Sequence, residues 1–487
     1  MSIVRSYADR DTWINESATA ANFGLSPVLE VWNRYDNVKE KKELARILIR
    51  FSLTGVENDI KNKNLYPDPR VDNSVSAYIY MFNTPHGDVQ ASDFTIDAFP
   101  LTGSWIEGDG VDFDKYSHTG FANTLFADSV NRWEDIGAGT GGEAYLGHHN
   151  RVYDSNSASM YFTHGEENLK LDVTSWFKEY LDGSSSNNGF LIRMSDREEA
   201  QTDAEATAAG VPTSVTAVSF FTKKFYGRET NTRLRPYLQL EWPGAIKDDR
   251  RNINFSKTGN LFFYNYNDGV LEDLNGTGKF PGFVSLSANG NQISPNNLTA
   301  SRVSTGIYKI NIGTAKNHLN ESLTGINISL SSSTSFTDSW VVTADGYHYE
   351  NIFNFNVTSS IGNNSFVNTS NFQANLMNAK SEYDYGSIAN IRVFIKDRGT
   401  RLTTLTGSST ALQSFVAKNS YVEIREKATD MIEIPQTELS YDETGNYFSL
   451  NTNNLYPGIE YKVVLKLNIR GESFIIDEPE KWNFIVK

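Results

Sequence analysis

Short runs of apolar or alternating residues recur through most of the chain. Examples are Leu29-Glu30-Val31-Trp32, Ile47-Leu48-Ile49-Arg50-Phe51, Ala77-Tyr78-Ile79-Tyr80-Met81-Phe82, Phe94-Thr95-Ile96-Asp97-Ala98-Phe99 and Tyr237-Leu238-Gln239-Leu240-Glu241-Trp242. Each has strand length and is bounded by Gly, Pro, Asn or Asp, so each predicts a β-strand. One segment has helical spacing instead. Val173, Trp176, Phe177, Tyr180 and Leu181 recur at i, i+3, i+4, i+7 and i+8, with Asp172 placed to cap the start and Gly183 to stop the end. Trp176 and Phe177 are expected to dock this helix on one end of a sandwich. Residues 195–216 are acidic and Ala-rich and read as an exposed insertion with at most one helical turn.

Breaks in the pattern divide the chain. Residues 1–242 form one large β unit, and 243–250 (PGAIKDDR) look like a linker. A second unit covers 243–357 with that linker included, residues 358–380 are a second linker rich in Ser, Asn and Thr, and a third unit covers 381–487. In the second, Asn267-Asp268-Gly269 between Leu261–Tyr266 and Val270-Leu271 predicts a hairpin, because Asp-Gly tolerates the positive φ of such turns. Ser304-Thr305-Gly306-Ile307-Tyr308 resembles Glu443-Thr444-Gly445-Asn446-Tyr447 in the third, placing Tyr308 and Tyr447 beside turns of a repeated immunoglobulin-like sandwich. Leu455-Tyr456-Pro457-Gly458-Ile459-Glu460-Tyr461 has the form of a tyrosine corner, in which the Tyr461 hydroxyl pins a connection between sheets. The expected fold is therefore all-β: a large jelly-roll-like sandwich with one short helix, then two immunoglobulin-like β-sandwiches.

Composition adds limits on partners. The net charge of −15 argues against nucleic acid and against an anionic membrane surface, since both need concentrated Lys and Arg. No run of about 18 apolar residues predicts a transmembrane helix, and the first residues lack the apolar core of a signal peptide. The absence of cysteine removes disulfides, thiol nucleophiles and Cys-ligated metals. Folding in a cytoplasm is the expectation.

Candidate chemistry is sparse. Glu107, Asp109, Asp112 and Asp114, interleaved with glycines, could wrap a hard cation, which makes calcium the one cofactor the sequence offers. An exposed acidic turn is the plainer reading. None of His86, His118, His148, His149, His164, His318 and His348 has zinc spacing. The glycine-rich stretch 137–142 lacks the lysine of a phosphate loop. Trp13, Trp32, Trp105 and Trp133 are candidate sugar platforms, although core positions suit them as well. Sequons such as Asn297-Leu298-Thr299 and Asn327-Ile328-Ser329 are expected in so Asn-rich a chain.

Two resemblances give these parts a context. Asp11-Thr12-Trp13-Ile14, Ala21-Asn22-Phe23-Gly24, Leu29-Glu30-Val31 and Arg46-Ile47-Leu48-Ile49-Arg50-Phe51 resemble the opening of the DNRLRE (disaggregatase-related) β-sandwich. Trp105 with Glu107, Leu171–Trp176, Asn188–Ile192 and Arg235–Leu238 extend the match over most of residues 9–242, while Ser52 stands where the family often has Asp. That resemblance implies adhesion or carbohydrate binding. Residues 386–399, 421–425, 442–450 and 455–461 look like virion structural proteins of marine T4-like tailed bacteriophages, which fold in the host cytoplasm and leave by lysis. Together they imply a non-enzymatic virion protein of the neck, tail or baseplate, assembled with sister subunits in a ring and with other virion proteins. The alternative is a module recognising host surface glycans. A glycan-degrading enzyme is the third reading, with no carboxylate pair placed for it.

Overall fold

The computed structural model of the chain is 51% strand and 8% helix, arranged in several mostly antiparallel sheets. It describes residues 3–38, 41–62, 66–87, 91–111, 119–133, 157–199, 220–250, 259–267, 270–274, 283–288, 291–292, 298–312, 334–344, 347–357, 372–397, 414–442, 444–469, 471–478 and 480–487. The chain forms two compact units, Ile3–Glu241 and Trp242–Lys487.

In the first unit, β1 (Ile3–Asn15) serves both layers. Its first half pairs with β10 (Tyr237–Glu241), which pairs with β4 (Ser76–Met81), which pairs with β7 (Leu169–Asp172). After an irregularity between Ala8 and Arg10, its second half pairs with β3 (Lys41–Phe51). β3 also pairs with β2 (Val28–Asp36) and β8 (Phe190–Met194). β9 (Phe221–Tyr226) joins β2, while β5 (Phe94–Pro100) joins β8 and β6 (Ala158–Phe162).

Residues 44 to 49 of β3 are buried on both faces, because each face is covered. Ala45, Ile47, Ile49 and Phe51 alternate with Arg46, Leu48 and Arg50. Leu48 packs with Ile14, Leu101, Trp105, Ala122, Ala127 and Leu191, so the loop after β5 makes its own small core on that face. α1 (Thr54–Lys61) follows β3. α2 (Thr174–Asp182) is the helix the spacing predicts: Trp176, Phe177 and Leu181 are buried, and Gly183 closes it at φ 79°. The capping expectation for Asp172 is corrected: Val173 is the N-cap and makes no side-chain cap bond, while Asp172, one residue earlier, accepts from the Thr174 amide at 2.9 Å in a local turn. Trp176 meets Phe190 edge-on at 4.6 Å.

The second unit holds four principal sheets. Gly259–Tyr264, Ile307–Ile312 and Ser301–Ser304 form one, and Phe283–Ala288, Thr334–Ala344 and Tyr347–Val357 are the longer strands of the next. Phe263 stacks on the fully buried Trp340 at 5.4 Å, bringing these two sheets together. Tyr266 and Asn267 pair with Leu271 and Val270, the hairpin register the Asp-Gly signal gives. Phe372–Met377, Ile388–Asp397, Gly445–Asn451 and Ser440–Asp442 form the third sheet, and a six-stranded fourth is centred on Glu460–Ile469. The tyrosine corner is made: Tyr461 is fully buried, its hydroxyl accepts from the Tyr456 amide at 2.8 Å and donates to the Tyr456 carbonyl at 3.1 Å.

Three further sequence expectations change. Residues 372–377, given by composition to the second linker, are an edge strand paired with Ile388–Asp397. The polar stretch 243–250 is no free linker at its end. Ile246, Lys247 and Asp248 lie along Ser440 and Tyr441, through a Tyr441 amide to Ile246 carbonyl bond of 2.9 Å and an Asp248 amide to Tyr441 carbonyl bond of 3.1 Å. Buried Asp249 takes the Tyr441 hydroxyl at 2.9 Å and Lys418 at 2.6 Å, while Arg250 pairs with the fully buried Asp338 at 2.6 Å. Its polarity is thus spent on partners from both sandwiches rather than on water. Finally, Tyr308 and Tyr447 are not equivalent. Tyr308 is buried with its hydroxyl accepting from the Leu274 amide at 2.9 Å. Tyr447 faces outward under the Arg392 guanidinium, while Asn446 and Phe448 are buried. Counted from the preceding glycine, the two strands bury opposite faces, which a one-residue offset produces.

Candidate functional site

Three of the segments that carry the first-unit resemblance, joined by Arg228, meet in one largely buried polar knot. β1 brings Asp11 and Trp13, the following turn brings Asn22, Phe23 and Gly24, the loop after β5 brings Trp105 and Glu107, and the turn after β9 brings Arg228. Phe23 stacks on Trp13 with ring centres 4.0 Å apart, which fixes the turn against the strand. Asn22 then makes four hydrogen bonds. Its Nδ2 donates to the carbonyls of Glu107 (2.6 Å) and Ala122 (2.8 Å), and its Oδ1 accepts from the amides of Gly110 (3.0 Å) and Gly24 (3.2 Å). The glycines allow this approach: a Cβ on Gly110 would lie 1.9 Å from the Asn22 carbonyl oxygen, and one on Gly24 2.4 Å from that of Glu107.

Glu107 is held inside the knot. Its Oε1 accepts from the Asp11 amide at 2.7 Å and from Arg228 Nε at 3.2 Å, and its Oε2 accepts from Arg228 Nη2 at 2.9 Å. Its carboxylate is therefore spent on a guanidinium rather than turned to solvent, unlike either sequence reading. Asp109 is described outside this ion pair, while Asp112 and Asp114 lie outside the described residues. Among the described residues no group of three or more His, Asp or Glu side chains could hold a metal ion. The stretch 137–142, His118, His148, His149, His318, residues 200–216, Asn297 and Asn327 also lie outside the described residues.

Asp11 is fully buried. Its Oδ2 accepts from the Arg228 amide at 2.5 Å, while Oδ1 has no partner among the described residues. Loss of solvent pushes its carboxyl up to about 7, opposed by the Arg228 amide and reinforced by the nearby Glu107 charge. Burial also raises Glu107, Asp97 and Glu198. A group raised in the folded state binds protons there that the unfolded chain releases. Its stabilisation is complete below the unfolded value of 3.8 and is lost as pH rises through about 7. Between pH 8 and pH 5 Asp11 should add about 3 kcal/mol, so thermal unfolding of the full chain shifts upward on mild acidification. Asp11→Asn should flatten that profile. A melting temperature that falls steadily from pH 8 to pH 5 contradicts the assignment.

The tryptophans are not sugar platforms. Trp13, Trp32, Trp105 and Trp176 are buried, Trp105 donating to the Asn188 carbonyl at 2.9 Å, and Trp133 packs against the loop core with its nitrogen on the Asn123 carbonyl at 2.8 Å. Half-buried tyrosines gather instead on one face of β1, β10, β4 and β7, while the exposed aromatic side chains among the described residues, Tyr35, Tyr161, Phe220, Tyr266 and Tyr385, lie elsewhere. Two rows of residues paired across the strands build that face: Tyr7, Tyr237, Tyr80 and Lys170, then Arg5, Gln239, Tyr78 and Asp172. The neighbouring position on β10 is Glu241. The face is bound together from below. Arg5 lies over Tyr237 (4.4 Å) and donates to Gln239 (2.7 Å), which donates to Glu241 (2.8 Å). Tyr80 and Lys170 also donate to Glu241, at 2.9 and 3.3 Å. This face was legible as the Tyr-Ile-Tyr alternation at 78–80, yet its partners come from strands far apart in sequence.

No family model matches the chain, and no curated protein matches it. Among solved structures, an amphioxus IgVJ-C2 molecule aligns at 8% identity and TM-score 0.12, over 46% of this chain and 97% of that one. A DUF4785 family protein from Legionella pneumophila aligns at 9% identity and TM-score 0.16, over 97% and 92%. A β-glucuronidase from Parabacteroides merdae aligns at 10% identity and TM-score 0.15, over 71% and 36%.

Proposed function

We propose that this chain is a non-enzymatic structural protein of a tailed bacteriophage particle, part of its neck, tail or baseplate, which works by multimeric assembly. It is made in the host cytoplasm and resides in the virion, against sister subunits and other virion proteins. The observation that carries this reading is where the phage-like segments fall. The described residues of 386–399, 421–425, 442–450 and 455–461 fall on strands of the last two sheets and on the tyrosine corner. The likeness therefore concerns a rigid frame, the part that an assembly protein uses to present surfaces. That frame exposes Ile388 (68%), Ile475 (72%) and Ile432 (48%), apolar positions suited to burial against a neighbour.

Immunogold labelling of particles purified from the source lysate, with antibody to residues 381–487, tests the proposal. Gold at one fixed place on the particle is expected. Bare particles, with the protein free in the lysate, would overturn it.

A further inference from the structure

We infer that Lys223 and Asn83 form a covalent cross-link, an amide bond from Lys223 Nζ to Asn83 Cγ made with loss of ammonia, and that Glu167 carries the proton between them. The bond staples the two layers of the first unit along one seam. This goes beyond the virion reading and does not depend on it.

Lys223 lies on β9, which joins β2 in one layer, and Asn83 lies just past the end of β4 in the other. There the chain runs beside β9. Asn83 bridges Phe225, the Thr84 amide donates to the Lys224 carbonyl at 3.0 Å, and the Tyr226 amide donates to the Phe82 carbonyl at 3.0 Å. Lys223 is 1% exposed. Its Nζ lies 2.6 Å from Asn83 Oδ1, 2.7 Å from the Gly165 carbonyl oxygen and 2.9 Å from that of Glu167. The buried rings of Phe162 and Phe225 have their centres 5.0 and 5.2 Å away. All three oxygens belong to amides, but only the Asn83 carboxamide can give up its nitrogen without cutting the chain. That nitrogen, Nδ2, has no partner among the described residues, so nothing there holds it back.

A lysine attacks an acyl carbon only as the neutral amine. Burial pushes the Lys223 ammonium down to about 8, opposed by the charges of Glu167 and Glu166. Glu167 is thus the acidic side chain that acts most strongly on it. Its Oε1 is fixed by the Thr163 and His164 amides at 2.9 and 2.7 Å, while Oε2 is buried with no partner among the described residues. Oε2 is the open acceptor for the proton in transit. The Nζ lone pair forms the bond to Asn83 Cγ, and the Cγ–Nδ2 bond breaks. Nδ2 leaves as ammonia, with the proton that Nζ gives up through Glu167. Nothing is oxidised and no further reactant enters. The two turn carbonyls hold Nζ on the carboxamide, and the phenylalanine rings shield the acyl carbon from water. A single turnover suffices, so even a slow reaction completes the staple.

Mass spectrometry of the purified full chain, denatured and then digested with trypsin, tests this. The intact mass is expected to fall short of the sequence by one ammonia, and the digest to contain one branched peptide joining Asn83 to Lys223. Lys223→Arg, Asn83→Ala and Glu167→Gln should each restore the full mass. The branched peptide is read from the parent chain, so it decides the matter if a variant fails to fold. A parent chain still at its full sequence mass after incubation at mildly alkaline pH would overturn the inference and leave Lys223 a buried ammonium clamp. An ammonia loss that maps to other residues, or that persists in Lys223→Arg, would overturn it too. A branched peptide retained in Glu167→Gln would overturn the role given to Glu167.

Discussion

Glu199→Ala should destabilise the first unit by about 3–5 kcal/mol, the cost of leaving a buried charge without its partner. Glu199 and Arg46 are 2% and 3% exposed in their side chains and meet at 2.6 Å, with a second contact from Arg46 Nε to Oε1 at 3.2 Å. Arg193, on β8, reaches the same carboxylate at 3.2 Å. Removing the carboxylate takes the two-point buried anion from Arg46 and leaves Arg193 with its contact to Asp196 at 2.6 Å. The loss would spread along the chain, because α3 (Asp196–Glu199) is held there by its backbone as well: the Glu198 carbonyl accepts from Lys42 at 3.1 Å and Asn33 at 2.9 Å. Urea unfolding of the purified chain measures this. A midpoint unchanged from the parent protein would show that the pair is not what holds the segment.

Asn22→Ala should cost about 3 kcal/mol or more, although it removes only a small polar group. Four backbone groups lose their partner together, in a knot too tight to admit compensating bonds without movement, and each orphaned buried group costs about 1–3 kcal/mol. Asn22→Asp should not rescue it, because a carboxylate cannot donate to the Glu107 and Ala122 carbonyls. Chemical denaturation gives the number. A loss of under 1 kcal/mol for Asn22→Ala would mean that the loop at 107–110 is held by something else.

These two residues mark the boundary of what can be read locally. The period-2 runs, the helix around Trp176 and the tyrosine corner were legible because each depends on residues within a few positions of one another. The acidic stretch 195–216 reads in sequence as an exposed insertion with one helical turn, and the turn is there at Asp196–Glu199 but not the exposure. Glu198 and Glu199 are in fact buried, since their partners Arg46, Arg193 and Lys42 include two residues some 150 positions away. Likewise Glu107 looked like a metal ligand beside other carboxylates, until Arg228 arrived from the turn after β9. The tyrosine face needed four strands drawn from residues 3 to 241, so its Tyr78 and Tyr80 could be seen but not its Glu241 and Lys170 neighbours.

By itself, the sequence determined the all-β class, the helix, the corner and the break near residue 242, because alternation, capping and turn chemistry act over short range. Tertiary structure alone decided which charges are paired, which tryptophans are buried, that residues 246–250 are a stitched joint, and which tyrosine rings share one sheet face. Those outcomes rest on strand pairing between distant segments, and desolvation then assigns each polar group its partner.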